Sequence, residues 1–431
     1  MAGQSMDRLV FHSLWWILWL SSVVVLRFFV RDMDGIRLQP TNVYYWFYGI
    51  AALSWIPLLL SSDFRKICKV HRQFLAALLY FTVVLTLSAQ LGARGGHSLK
   101  TLVVVFGATV PFILLGRRSL DILDARIMDP VLFTAVFCAL GAWLLSLTGP
   151  VTVFDITLEN YLHGGDRWSF LFQEANGLAV MLAAGITALL FRFCVSRWSA
   201  LKILLIAVVL PLLLFVFWKT NSRGSLLWIG IASLCYGSLL LRNLLLQYAS
   251  IGGQKMILWG IAGLLGISVL LAMFFWQELS QFLRLKQTDL TTGRMPVWLV
   301  ILDEFKLHPI LGFGYGATGH VTVNLPVRSP LNVFIGVLGE AGVMGLLGLL
   351  WLWIGALWQA GQYILKHLQQ QDLRFHYAFV VFVMLLGMAA QQNGEWAILF
   401  ATPIHFLFFF LVAAAWKLAE NNEACSTGTL N

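Results

Sequence analysis

The chain has 431 residues, 59% of them hydrophobic and only 11% charged, whereas an average soluble domain is about a quarter charged. That balance excludes an ordinary soluble fold and points to a chain solvated largely by lipid. The formal charge of +9 comes from basic residues in short connections between apolar runs, which is a topology signal and not the footprint of a nucleic-acid-binding surface. Cys68, Cys138, Cys194, Cys235 and Cys425 show no metal-type or CxxC spacing, so they read as small apolar residues, with no disulfide framework, metal or cofactor implied.

A spanning helix needs about 20 mostly apolar residues. Such runs centre near 10–30, 43–60, 73–92, 98–116, 129–148, 174–195, 200–219, 224–241, 255–276, 342–364, 375–391 and 397–416. They predict an all-α bundle of about twelve transmembrane helices. The first run is followed by no small-residue cleavage site, so it is expected to stay as a helix. Trp15, Trp16, Trp218, Trp276 and Trp416 stand at run ends, as expected of rings anchored at the membrane interfaces.

Positive charge resists translocation, so loops rich in Lys and Arg mark the cytoplasm. Arg65, Lys66, Lys69 and Arg72 form one such loop, and Arg117, Arg118 and Arg126 another. Arg192, Arg197 and Lys202, then Arg242 and Lys255, then Lys366 and Arg374 fall on the same side. This count places both termini in the cytoplasm. The outer face then carries two long loops, 149–173 and 277–341, and the residues after Lys417 read as a disordered tail over 418–431. No connection is long enough to bury a core of its own, so 1–431 is read as a single integral membrane domain.

Arg167, Lys219, Arg223, Lys286, Arg294 and Arg328 lie on the outer side, against the charge trend. An anionic ligand would account for them. Arg223 sits in a tight polar turn, Thr220-Asn221-Ser222-Arg223-Gly224-Ser225, and a guanidinium held there matches a phosphate or diphosphate. Arg294, in Thr291-Thr292-Gly293-Arg294, precedes an amphipathic helix over 295–306 that includes Trp298. Asp303, Glu304, His308 and the run Gly312-Phe313-Gly314-Tyr315-Gly316 follow, the glycines allowing backbone to approach a ligand closely. Asn332 and Glu340 interrupt an apolar stretch entering the bilayer, where ionisable groups are costly and pair with something nearby. Arg167-Trp168-Ser169 leads to Asn176-Gly177, where Asn suits a helix N-cap. Each motif also has a plain structural reading: a snorkelling arginine, a glycine turn, an internal ion pair, a cap.

In order, these motifs run Asn-x-Leu-Ala, Ser-Arg-Gly, Thr-Gly-Arg-x-x-x-Trp with Pro-x-x-Gly-x-Gly-x-Gly, and Asn-x(7)-Glu-x-Gly-x-x-Gly, over about 167–350. The succession resembles the O-antigen ligase and Wzy-type polymerase superfamily, and within it the polymerases of exopolysaccharides of the xanthan or succinoglycan type. The resemblance implies a GT-C-like fold and metal-independent transfer of glycan from an undecaprenyl diphosphate carrier at the periplasmic face. It implies that Arg223 and Arg294 bind the diphosphate, with Arg167, Asn176, Trp298, Tyr315, Arg328 and Asn332 lining the substrate site. A chain-length regulator and a flippase are the partners it implies, besides membrane lipid. Many family members carry His-Asn where this chain has Leu331-Asn332, and in the ligases that histidine is the presumed base. His320, Glu340, Asp303 and Glu304 are the substitutes on the same side, His320 having the most useful intrinsic pKa. The missing histidine favours a polymerase over a ligase that transfers to lipid A–core. A transporter or a non-catalytic scaffold are the rival classes, the first weakened because repeat symmetry and midplane charges are not evident.

Overall fold

The computed structural model describes residues 2–30, 72–94, 99–153, 156–158, 167–170, 172, 175–195, 199–247, 294–325, 332–391 and 403–426. Its elements are α1 (Ala2–Val30), α2 (Arg72–Leu91), α3 (Leu99–Ile122), α4 (Asp129–Thr148), β1 (Val151–Val153) and β2 (Ile156–Leu158). After these come α5 (Ala175–Val195), α6 (Ala200–Thr220), α7 (Arg223–Gln247), α8 (Met295–Leu307), α9 (Thr318–Val321), α10 (Val333–His367), α11 (Leu373–Gln391) and α12 (Pro403–Ser426). Seven of the described helices are long and apolar enough to cross a membrane: α2, α4, α5, α7, α10, α11 and α12. The chain is therefore a multi-pass helical protein. The runs at 43–60 and 255–276 lie outside the described residues, as does most of the loop 277–341 before Arg294.

Helices dominate because lipid offers the backbone no hydrogen-bond partners, so each spanning segment must satisfy its own. α5 and α12 are buried almost all round and form the middle of the bundle. α12 packs on α3, α10, α11 and α1, and α5 packs on α4, α6, α7 and α11. Helices α2, α4 and α7 expose large apolar side chains such as Leu79, Phe137 and Leu234 along one flank, the face a lipid-solvated helix presents. Among the described residues the one small sheet is the antiparallel pair β1–β2 after α4, with Val151 opposite Leu158 and Val153 opposite Ile156.

Two expectations are corrected. Trp15 and Trp416 are not interfacial anchors but core residues, 0% and 2% exposed. Trp15 stacks on Phe410 at 4.4 Å and donates its indole N–H to the Ile127 carbonyl, and Trp416 donates to Leu352. A tryptophan near the end of an apolar run can face inward wherever a carbonyl waits for its N–H. The tail is not disordered from 418 onward: α12 continues to Ser426, with Leu418 and Ala419 buried, and only 427–431 lie outside the described residues. Glu420 accepts from Arg117 at 2.7 Å and from Lys417 at 2.9 Å. Such a partner on a distant helix is invisible in the local polarity of the tail.

The ion pair Asp7–Arg118 and the approach of His12 to Asp124, both at 3.3 Å, bring the start of α1 to the α3–α4 connection. Since Arg117 holds the end of α12 at the same place, the two ends of the chain share one face of the bundle.

Candidate functional site

The opposite end of the bundle collects most of the residues singled out in the sequence, in two groups. The first is built on the antiparallel pair α7 and α11. Gly224 faces Gln391, Trp228 covers Gly387, Tyr236 meets Phe379 at 5.0 Å, and Asn243 exchanges two 2.7 Å amide bonds with Gln371. The first turn of α7 therefore lies against the last turn of α11. Glycine is needed at 387, where a Cβ would fall 2.1 Å from the Trp228 ring, while one on Gly224 would meet the Gln391 carbonyl tightly at 3.2 Å.

Onto this pair the chain before α5 is tied by Arg167. Its Nε donates to the Thr220 carbonyl and its Nη2 to Asn176 Oδ1, both at 2.7 Å, while Trp168 N–H donates to Lys219 O. One guanidinium thus joins the end of α6 to the start of α5. Asn221 turns the chain from α6 into α7 with φ of 51°, a left-handed conformation that Asn tolerates better than most residues. Arg223 follows at the first position of α7, half-buried. Arg167, Asn176 and the Arg223 turn are thus brought together. Arg328 and Leu331 lie outside the described residues.

The second group surrounds a break in α10. Gly342 has φ of 67° and ψ of −168°, and the helix stops and restarts there. The segment before the break doubles back along the one after it. Phe334 stacks on Trp353, about three turns beyond Gly342, with ring centroids 5.5 Å apart. Asn332 caps the first segment from an extended backbone conformation, its Oδ1 accepting from the N–H groups of Phe334 at 2.9 Å and Ile335 at 3.1 Å. A helix start so placed carries orphan N–H groups, and Asn332 satisfies two of them.

The break itself exposes backbone that the glycine run repairs. Phe313 and Gly314 N–H donate to the carbonyls of Gly339 and Glu340, and Val343 and Met344 N–H donate to those of Pro309 and Ile310. Ser88 Oγ also donates to the Glu340 carbonyl. A Cβ at Gly312 would lie 2.4 Å from Glu340 backbone, and one at Gly92, at the end of α2, 2.3 Å from Gly314 Cα. In the sequence alone these glycines suggest the approach of a ligand. In the structure they allow the loop to approach the interrupted helix.

The Glu340 side chain is 0% exposed. Its Oε1 accepts from Thr318 N–H at 3.0 Å and Thr318 Oγ1 at 2.5 Å, and Oε2 has no hydrogen-bond partner among the described residues. Its partner is therefore a threonine of α9, which the sequence reading missed; an isolated Thr in a glycine-rich stretch carries no signal of a contact 22 residues away. Tyr315 is buried in the main core, and burial followed by the charge of Glu340 pushes its phenol above the ordinary tyrosine range. Arg294 starts α8, its carbonyl accepting from Trp298 N–H at 3.0 Å. Val297 and Ile301 of α8 pack with Phe313 and Ala317 in a small separate core. Trp298 is partly buried, and His320 is exposed at the end of α9. Among the described residues, no three His, Cys, Asp or Glu side chains gather as a metal site would require.

α11 returns to the end at which α10 breaks, so both groups lie at that end. No protein-family model matches the chain, and no curated protein is similar enough to place it.

Proposed function

We propose that the protein is a bacterial inner-membrane glycosyltransferase of the Wzy polymerase type, with about twelve spanning helices, a GT-C-like fold and both termini in the cytoplasm. It transfers a glycan from undecaprenyl diphosphate onto a lipid-linked repeat unit at the periplasmic face. The observation that supports this is the joining of Arg167, Asn176 and the Arg223 turn at the end of the bundle opposite the termini. Arg167 and Thr220, 53 residues apart, bring two segments together there on basic and hydrogen-bonding groups, where the charge trend alone would keep cations away.

In the transfer, the bond from the anomeric carbon to the diphosphate oxygen breaks. A glycosidic bond forms to a hydroxyl of the acceptor, whose proton is released, and undecaprenyl diphosphate leaves with the bonding pair. Arg223 and Arg294 neutralise the charge growing on that leaving group, which lowers the barrier only if they are held in place beforehand. The leaving group so stabilised needs little help from a base, which agrees with a leucine at position 331 and favours the polymerase over the ligase.

The test is polymer production in a strain lacking the protein, complemented with wild type, Arg223→Ala, Arg294→Ala or Leu331→His at matched membrane levels. Each alanine variant is expected to lose about a hundredfold or more of the activity. Full polymer from both alanine variants would overturn the diphosphate role and turn attention to a transporter or scaffold.

A further inference from the structure

The contact between the start of α7 and the end of α11 contains more polarity than its own hydrogen bonds use. Gln391 is 1% exposed, yet its Nε2 has no hydrogen-bond partner among the described residues. Asn221 Oδ1 is buried and equally without one, in the turn three residues before the glycine that packs on Gln391. Beneath them Trp228, fully buried against Gly387, also leaves its indole N–H unused. Burying an amide donor or acceptor without a partner costs more than a hydrogen bond returns. A glutamine, an asparagine and a tryptophan at one helix contact therefore call for a bound group.

The sign of each atom narrows what that group is. Nε2 donates and Oδ1 only accepts. A fully ionised diphosphate has only acceptors, so it would suit Gln391 but oppose Asn221 Oδ1. A hydroxyl both donates and accepts, so it matches the sign of each. Resting on the polymerase reading above, we propose that Gln391 and Asn221 form a sugar-hydroxyl subsite beside Arg223. It holds the first saccharide of the lipid-linked chain, while the neighbouring arginine holds its diphosphate. The neutral amides then report whether the carrier is loaded, and the cation reports only that a diphosphate is present.

The experiment compares two probes on purified full-length protein in nanodiscs. One is undecaprenyl diphosphate; the other is undecaprenyl diphosphate bearing the repeat unit, extracted from a strain lacking this protein. Gln391→Ala and the shape-conserving Gln391→Met are expected to weaken binding of the loaded carrier about three- to tenfold, leaving the bare carrier unchanged. Asn221→Gly, which removes Oδ1 but keeps the left-handed turn before Arg223, is expected to do the same, and Arg223→Ala to weaken both probes. Unchanged affinity for the loaded carrier in both Gln391 variants would overturn the subsite and leave the amides to bound water. An equal loss for both probes would also overturn it, since it signals a diphosphate contact or a general loss of structure. Wild-type protein that binds neither probe would overturn the polymerase reading itself, and the subsite with it.

Discussion

Replacing Glu340 tests whether that carboxylate holds the broken helix together or does chemistry. In Glu340→Ala the buried Thr318 N–H and hydroxyl lose their acceptor. One buried donor left unpaired costs about 1–3 kcal/mol, and the void left by the side chain adds about 1 kcal/mol. The expected loss is therefore about 3 kcal/mol, a large share of the stability of an ordinary fold. Glu340→Gln keeps Oε1 as the acceptor and puts an NH2 where Oε2 already lacks a partner, so its cost is expected within about 1 kcal/mol. Denaturant titration of purified protein in detergent, followed by tryptophan fluorescence, measures both, and polymer production at matched levels measures function. The Gln variant is expected to make polymer and the Ala variant to accumulate poorly. A Gln variant that is stable but inactive would refute the structural role and make the carboxylate a catalytic residue. An Ala variant as stable as wild type would show that the tie to Thr318 holds nothing.

Gly342→Ala combines a positive φ with a Cβ 2.2 Å from the Ile310 carbonyl oxygen. It is expected to destabilise by about 2 kcal/mol from backbone strain alone and further from the clash, read as a lower melting temperature in detergent. Asn332→Ala removes a cap and is expected to cost about 1 kcal/mol, whereas Asn332→Asp, which keeps the accepting oxygen, is expected to lose less in the same titration. Arg167→Lys cannot reach both the Thr220 carbonyl and Asn176 with a fork. It is expected to resemble Arg167→Ala in polymer yield, and full activity in the lysine variant would show that charge alone suffices. Reporter fusions at residues 1 and 431 are expected to read the same compartment, because Asp7 and Glu420 both bond to the end of α3.

Ten of the apolar runs in the sequence coincide with described helices, seven of them long and apolar enough to cross a membrane, because a span needs only enough apolar residues in a row. The run that begins at 342 shows the limit. Hydropathy starts it at the glycine where charge and polarity end, but the helical chain begins at Val333 and doubles back. Nothing in composition separates a helix that enters the membrane from one that turns beside itself. The motifs of the candidate site were visible as polar residues in apolar surroundings, and Arg167, Asn176 and the Arg223 turn do meet. Their companions were not visible. Thr318 beside Glu340 and Gln391 beside Gly224 are set by how helices cross, across 22 residues in the first case and most of the second half of the chain in the other. The sequence also offered a ligand for the glycine run where the structure supplies interrupted backbone.

The repaired break bears on how such a chain is made. The segment from Val333 to Ala341 holds carbonyls that its own helix cannot satisfy, and would be poorly tolerated by lipid if it arrived alone. Phe313 and Gly314, whose N–H groups satisfy the Gly339 and Glu340 carbonyls, are synthesised just before it. Emerging from the ribosome in that order, the loop is already made when the helix needs it, so the partners of this break are neighbours in time as well as in space. A permuted chain that delivered the loop after the helix would leave those carbonyls without partners during insertion.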